Sequence, residues 1–435
     1  MRRARIWAAI GSVTLIVSAC GGTGATTPPT TGAASHAPSA AATQAATTAA
    51  ATATVAAGTP AATVAGTMGP LPSSGVSSKI DKGEGELDII IWAGYAEDGS
   101  SDKTYDWVHP FEDLTGCQVH STDMTDSNNG VSLMQGGSYD GISASGDATT
   151  RLIQGGLVAP IDTSIFLNYP NVFDSLKNLP HNTVNGVNYG VPHGRGPNLL
   201  AYNTDQVTTA PTSWDPIWEG GSAYKGKISI YNSSIFIADA ALHVMVKHPE
   251  LGIKDIYQLD DAQFQAAIDL LNQLKANNPL FWGTATEQQT SFTSGDVVIG
   301  TSWQYQVNLL TADHQPIAAV LPDEGSTGWS DTWMMSATAK HPNCMLMWMD
   351  WMMSPMANAL ATIWFGEAPT SQAACDYAET ISPGHCEQMH ATDEAYFSKV
   401  HYWATPQADC KDEDPATTCK TQDDWVQAWT TLTGS

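Results

Sequence analysis

Apolar and polar positions divide the chain into three stretches. In the first, Arg2, Arg3 and Arg5 precede an apolar run over residues 6–17, which ends in Ser18-Ala19-Cys20. That run is too short and wrongly flanked for a stable membrane span; a basic start, apolar middle and small-residue end predict a cleavable export leader. The second stretch, residues 21–78, holds no Asp, Glu, Lys or Arg and is dominated by Ala, Thr, Pro and Gly. It lacks the large side chains that offset ordering entropy, which predicts a disordered tether ending near residue 80. In the third, residues 86–435, strand-like and helix-like patterns alternate, as in α/β architectures with largely parallel sheets.

Particular segments carry that expectation. Leu87-Asp88-Ile89-Ile90-Ile91-Trp92 is a nearly continuous apolar run, as in a strand buried on both faces. Trp107, Phe111 and Leu114 fall on one helical stripe that Pro110 starts or kinks and Gly116 stops, and Gln118-Val119-His120 resumes an extended run. The clearest helix covers residues 262–276. Asp260 or Asp261 caps it, Phe264, Ile268, Leu271 and Leu274 form its stripe, and Asn277-Asn278-Pro279 ends it. Residues 297–300 read as another buried strand, and Pro342 opens an internal helix running through Trp351.

Composition adds compartment and charge. The small residues before Cys20 resemble a bacterial lipoprotein signal, which makes Cys20 the lipidated first residue of a mature chain held on the outer face of the cell membrane. Without the three leader arginines the balance is 15 basic to 44 acidic residues, a formal net charge of −29. Nucleic acid and anionic lipid need clustered Lys and Arg and are poor partners for such a surface; a cationic or zwitterionic solute suits it better. Six cysteines remain after Cys20, an even number for an oxidising compartment. Proximity suggests Cys375 with Cys386 and Cys410 with Cys419, leaving Cys117 and Cys344 as a long-range pair among fifteen pairings.

Catalytic patterns are nearly absent. There is no G-x-S-x-G elbow and no H-E-x-x-H helix. Residues 221–227 (GSAYKGK) have phosphate-loop spacing, but Ile228 stands where a magnesium-binding Ser or Thr is required, so the segment reads as a turn before a strand. His385, Cys386 and His390 imitate a metal site whose cysteine is better used in a disulfide. No cofactor and no metal is expected, nor an enzymatic activity.

The informative constellation is aromatic. Fifteen tryptophans is a high number, and three stand at strand ends or in a Gly-rich loop: Trp92, Trp303 and Trp329, with Tyr95 and Asp331 close in sequence to two of them. Open α/β sheets bind ligands outside the carboxyl ends of their strands. Indole faces there, with an acid beside them, make a box for an amine.

The order of segments resembles the spermidine/putrescine-binding proteins of ABC importers. The likeness lies in Ile91-Trp92-x-x-Tyr95, Phe111-Glu112-x-x-Thr115-Gly116, Tyr139-Asp140 leading to Ser145, and Gly190-Val191-Pro192 before Ala201-Tyr202-Asn203. It continues through Ser213-Trp214, Tyr224-Lys225-Gly226, the 295–303 strand, Pro322-x-Glu324-Gly325, Trp329-x-Asp331, Ser354-Pro355 and Pro369-Thr370. The resemblance implies a two-lobed periplasmic-binding-protein-like α/β fold with a ligand cleft between the lobes. One lobe would comprise residues 86–194 with about 325–390, the other 195–324 with about 391–435. It implies a monomer that hands a small amine, a polyamine or a relative, to a membrane permease. By position, Trp92, Tyr95 and Ser145 would line one lobe's side of the cleft, Trp303 would wall the other, and Trp329 with Asp331 would grip an amino group. Asp147 falls at a contact position and would add a second carboxylate.

One departure stands out. Where polyamine binders carry acids, this chain reads Tyr231-Asn232-Ser233-Ser234-Ile235-Phe236. Arg195, at the expected crossover between lobes, would suit a carboxylate, so a zwitterionic amino acid or amino-carboxylate is the alternative ligand. A glycan hydrolase would share the Trp-lined cleft but needs a carboxylate pair at fixed separation. An adhesion scaffold would share the tether without needing a cleft.

Overall fold

The computed structural model describes residues 74–218, 221–410 and 417–434. The leader, Cys20 and the tether as far as residue 73 lie outside the described residues. The end of the stretch read as tether is a correction, because residues 74–80 are docked. The backbone N–H of Ser77 donates to Asp350 Oδ2 at 2.7 Å, Asn168 Nδ2 donates to the Gly75 carbonyl, and Ile80 is buried. Composition misses this because the partners, a buried carboxylate on a distant helix and the core against which Val76 and Ile80 pack, are remote in sequence.

Two five-stranded sheets form the centres of the two lobes. In the first, Gln118–Met124, Glu86–Trp92 and Gly141–Ala144 run parallel, and Thr332–Met335 and then Val191–Pro192 complete the sheet. Ile89, Ile90 and Ile91 are all buried, as the unbroken apolar run requires of a strand covered on both faces. The second sheet has the order Leu280–Trp282, Ile228–Tyr231, Ile299–Ser302, Leu199–Asn203, Ile317–Val320, with its first three strands parallel.

Helices pack where the patterns place them, with local shifts. Asp261–Ala276 begins with a full capping box between Asp260 and Gln263. Val108–Thr115 ends at Gly116 in the left-handed region (φ 75°). Its Leu114 is half exposed although it lies on the apolar stripe. Pro342 opens Pro342–Met352, and the strand expected at 297–300 is Ile299–Ser302. Gly221–Tyr224 is a short 3-10 turn before the Ile228 strand, as its failed phosphate-loop spacing suggests. The three disulfides are Cys117–Cys344, Cys375–Cys386 and Cys410–Cys419, the pairing expected from proximity.

The chain passes between the two sheets three times, and the three passages pair with each other. Gly196–Pro197 leads from the first sheet to the second and Ser326–Trp329 leads back. Val400–Tyr402 carries the C-terminal segment across again, parallel to Ser326–Gly328. Backbone hydrogen bonds therefore unite all three crossings in one small sheet.

Candidate functional site

The parallel strands of both lobes end at a common cleft, where sheet topology places ligand sites. On the first lobe, Trp92 closes its strand. Asp126 caps helix Ser127–Gln135 by accepting from the N–H groups of Asn128 and Asn129, and Asp147 lies in the first turn of Gly146–Gln154. Across the cleft, Tyr231 closes its strand, followed by Ser233, Ser234 and Ile235. Trp403 and Gln422, from the C-terminal segment, complete the wall. The space enclosed is about 40 Å³, room for water-sized occupants only, so the lobes are closed on one another.

Its electrostatics are one-signed. Among the described residues, Asp126 and Asp147 line the cleft and no Lys, Arg or His does. Burial pushes the Asp147 carboxyl up to about 6, partly offset by a 2.8 Å hydrogen bond from the Ser127 hydroxyl and by Arg151 nearby. The Arg151 guanidinium itself donates to Asn128 Oδ1 at 2.7 Å. The Tyr231 hydroxyl is raised first by burial and then by the charges of Asp147, Asp126 and Asp331.

Asp331 is buried beside this space. Ser145 Oγ donates to its Oδ1 at 2.7 Å and Tyr95 Oη to its Oδ2 at 2.9 Å. Burial raises its pKa, and these two hydrogen bonds oppose the shift. Tyr95 is fixed by stacking on His193 (centroids 4.1 Å apart) and by the edge of Phe365. His193 in turn lies 3.4 Å from the fully buried Glu367.

The structure thus joins Tyr95, Ser145 and Asp331 in one hydrogen-bonded trio and sets Trp92 and Asp147 in the cleft wall. Trp303 stands behind Tyr231 (centroids 5.3 Å apart), its indole N–H donating to Asn198 Oδ1 at 2.9 Å. Trp329 is half-buried, its ring laid over Gly196, where any Cβ would come within 2.7 Å of it. Neither Trp303 nor Trp329 borders the closed cavity.

Arg195 is a correction. It lies at the crossover, as expected, but its guanidinium faces away from the cleft. It stacks 3.7 Å from the Phe397 ring centroid and donates to Ser175 Oγ, the Ala391 carbonyl and Glu394 Oε1. The backbone bridge between Arg195 and Ala368 fixes this direction, so the side chain is spent on structure.

Sequence reasoning missed Asp126, Tyr231, Trp403 and Gln422. Tyr231 and Trp403 both stand at strand ends, the rule that selected Trp92, and would have followed from applying it throughout. Asp126 would have followed from its capping position after a strand. A larger hollow of about 540 Å³, bordered by Trp218, His243, Lys247 and Leu270, belongs to the second lobe alone and touches none of these residues.

Residues 106–386 match the family of bacterial extracellular solute-binding proteins. The spermidine/putrescine-binding periplasmic protein of Escherichia coli K12 is 24% identical over 283 residues, covering 62% of this chain and 78% of that protein. The putrescine/agmatine-binding protein of Pseudomonas aeruginosa is 24% identical over 299 residues, 63% and 78% respectively. In fold, the spermidine/putrescine ABC transporter substrate-binding protein PotD of Streptococcus pneumoniae superposes with a TM-score of 0.62 at 18% identity, over 80% of this chain and 97% of that one. Two lobes whose strand ends meet at an aromatic, acidic cleft, and a match spanning most of both lobes, agree: this chain belongs to the bacterial extracellular solute-binding proteins.

Proposed function

We propose that this protein captures a small amine-bearing solute between its lobes and delivers it to an ABC permease, while a lipid on Cys20 and the tether after it hold it outside the membrane. The observation that carries the ligand class is the cleft lining: aromatic rings with Asp126 and Asp147 and, among the described residues, no basic side chain. An ammonium there is offered ring faces and carboxylates together. The naming of the relatives above for spermidine, putrescine and agmatine supports the same class. A neighbour in fold described as a lipoprotein of Treponema pallidum, with a TM-score of 0.57, supports the tether.

The mechanism is a shift between open and closed forms. A solute that touches Trp92 and Asp147 on one lobe and Tyr231 on the other makes all its contacts only when the cleft is closed, and that difference drives closure. The paired crossings at Gly196–Pro197, Ser326–Trp329 and Val400–Tyr402 are the elements about which the lobes turn. Asp331, held by Tyr95 and Ser145, supplies further negative potential, and Trp303 and Trp329 back the wall. The zwitterion alternative loses its clamp with Arg195 engaged elsewhere.

The test is calorimetric titration of the mature chain with 1,4-diaminobutane, spermidine, agmatine and 4-aminobutyrate, with tryptophan emission followed in parallel. Saturable heat and an emission change with the amines are expected. No signal from any of the four refutes the assignment.

A further inference from the structure

The family match ends at residue 386, yet the chain beyond it supplies part of the cleft wall. We propose that Trp403, on this C-terminal strap, sets the length of the solute by stopping the cleft at its Asp147 side. The proposal rests on the amine-binding reading above.

The strap is fastened through groups other than the indole. The Trp403 backbone N–H donates to the Gly328 carbonyl at 2.7 Å, and Val400–Tyr402 is paired with Ser326–Gly328. Tyr257 Oη donates to the His401 carbonyl at 2.9 Å, and Thr405 Oγ1 to the Asp147 carbonyl at 2.8 Å. The strap also passes so close to Gly146 that a Cβ there would lie 1.7 Å from the Trp403 oxygen. Beyond it, the Cys410–Cys419 bridge and helix Gln422–Thr433, whose Trp425 and Trp429 enter the second lobe's core, anchor the segment.

The ring is therefore a fixed wall. It is 6% exposed and lies nearly parallel to Tyr231, at 8° and 6.1 Å between centroids. A segment fastened at so many backbone points cannot swing aside without breaking several hydrogen bonds. On this reading a compact amine lies in front of the indole once the lobes part, whereas a long polyamine would have to extend through it. Truncating the ring leaves the strap in place and opens the Asp147 side.

The experiment measures affinities of 1,4-diaminobutane, spermidine and spermine for the mature chain and for Trp403→Ala and Trp403→Leu, with a reversible thermal melt of each. The wild type is expected to favour diaminobutane over spermine by tenfold or more, and both variants to shift that ratio at least tenfold toward spermine. An equal change for all three amines, or a wild type that binds spermine as tightly as diaminobutane, overturns the role of Trp403 alone. Absence of binding by every amine to every protein overturns the amine reading and this inference with it. Loss of a folding transition in both variants makes the ring a structural pillar and also overturns the assignment.

Discussion

The buried acid of the cleft gives the sharpest prediction, a coupling of solute affinity to pH through Asp147. Burial lifts this carboxyl from 3.8 to about 6, and the side chain is nearly inaccessible, so solvent screening does little to reduce the effect. Keeping it ionised in the empty closed form costs about 3 kcal/mol. Because the folded group binds its proton at higher pH than the unfolded one, the ligand-free fold loses stability as pH rises from about 4 to about 6, and the loss is complete above that range. An ammonium in the cleft reverses the preference by favouring the carboxylate. Affinity for 1,4-diaminobutane should therefore be level above about pH 7 and fall toward tenfold per unit below about pH 6, with up to one proton released on binding. Calorimetry in two buffers of different ionisation heat reads both the slope and the proton count. Asp239 also titrates in this region, at about 7, so the control is Asp147→Asn, which keeps an acceptor for Ser127. That variant should bind more weakly at neutral pH, lose the slope below pH 6, and melt at a higher temperature than the wild type without ligand. A wild-type affinity unchanged between about pH 5 and pH 8, or a slope that persists in Asp147→Asn, refutes the reasoning.

Three further outcomes follow from the geometry. Asp331→Ala, which strands the hydroxyls of Tyr95 and Ser145 and removes a charge beside the cleft, should weaken amine binding by about 2–4 kcal/mol in a calorimetric titration. Arg195→Ala should lower unfolding stability by about 2–3 kcal/mol in denaturant melts while leaving amine affinity within twofold, since its contacts are to Phe397, Ala391 and Glu394; a large loss of affinity with stability intact would return it to the site. Gly146→Ala places a methyl against the Trp403 carbonyl and should cost about 1–3 kcal/mol in stability, with an altered tryptophan emission as the strap is displaced.

How far the sequence was legible depended on whether a signal was local. The run Ile89-Ile90-Ile91 announces a doubly covered strand because every residue in it must be hidden, and all three are. The box at Asp260 and Gln263 is written within four residues, and it forms. Short-range cysteine spacing left one long-range pair by remainder, and Cys117 does meet Cys344 across 227 positions. Leu114 shows the limit: a stripe assigns a face, but whether a neighbour covers its last turn depends on the distant chain. Residues 74–80 show the converse, where a dull composition hides an anchoring point because the partner, Asp350, is remote.

The site obeyed the same division. Strand ends are local, so Trp92 was within reach, while the direction of Arg195 depended on pairing with Ala368 and was not. The absence of acids around Tyr231 argued against a doubly anchored amine only while one wall was considered. The acids that act on that ring come from the opposite lobe, at Asp126 and Asp147. Net charge alone does not select an amine, since a strongly acidic surface also serves solubility. Selection comes from where the chain spends its few cations: Arg195 is engaged on Glu394 outside the lining, and Arg151, held on Asn128, offsets only part of the burial of Asp147. On the proposed amine reading, a buried acid left in that condition is costly until a cation arrives from solution, and that unfavourable energy, relieved on capture, would couple solute binding to closure.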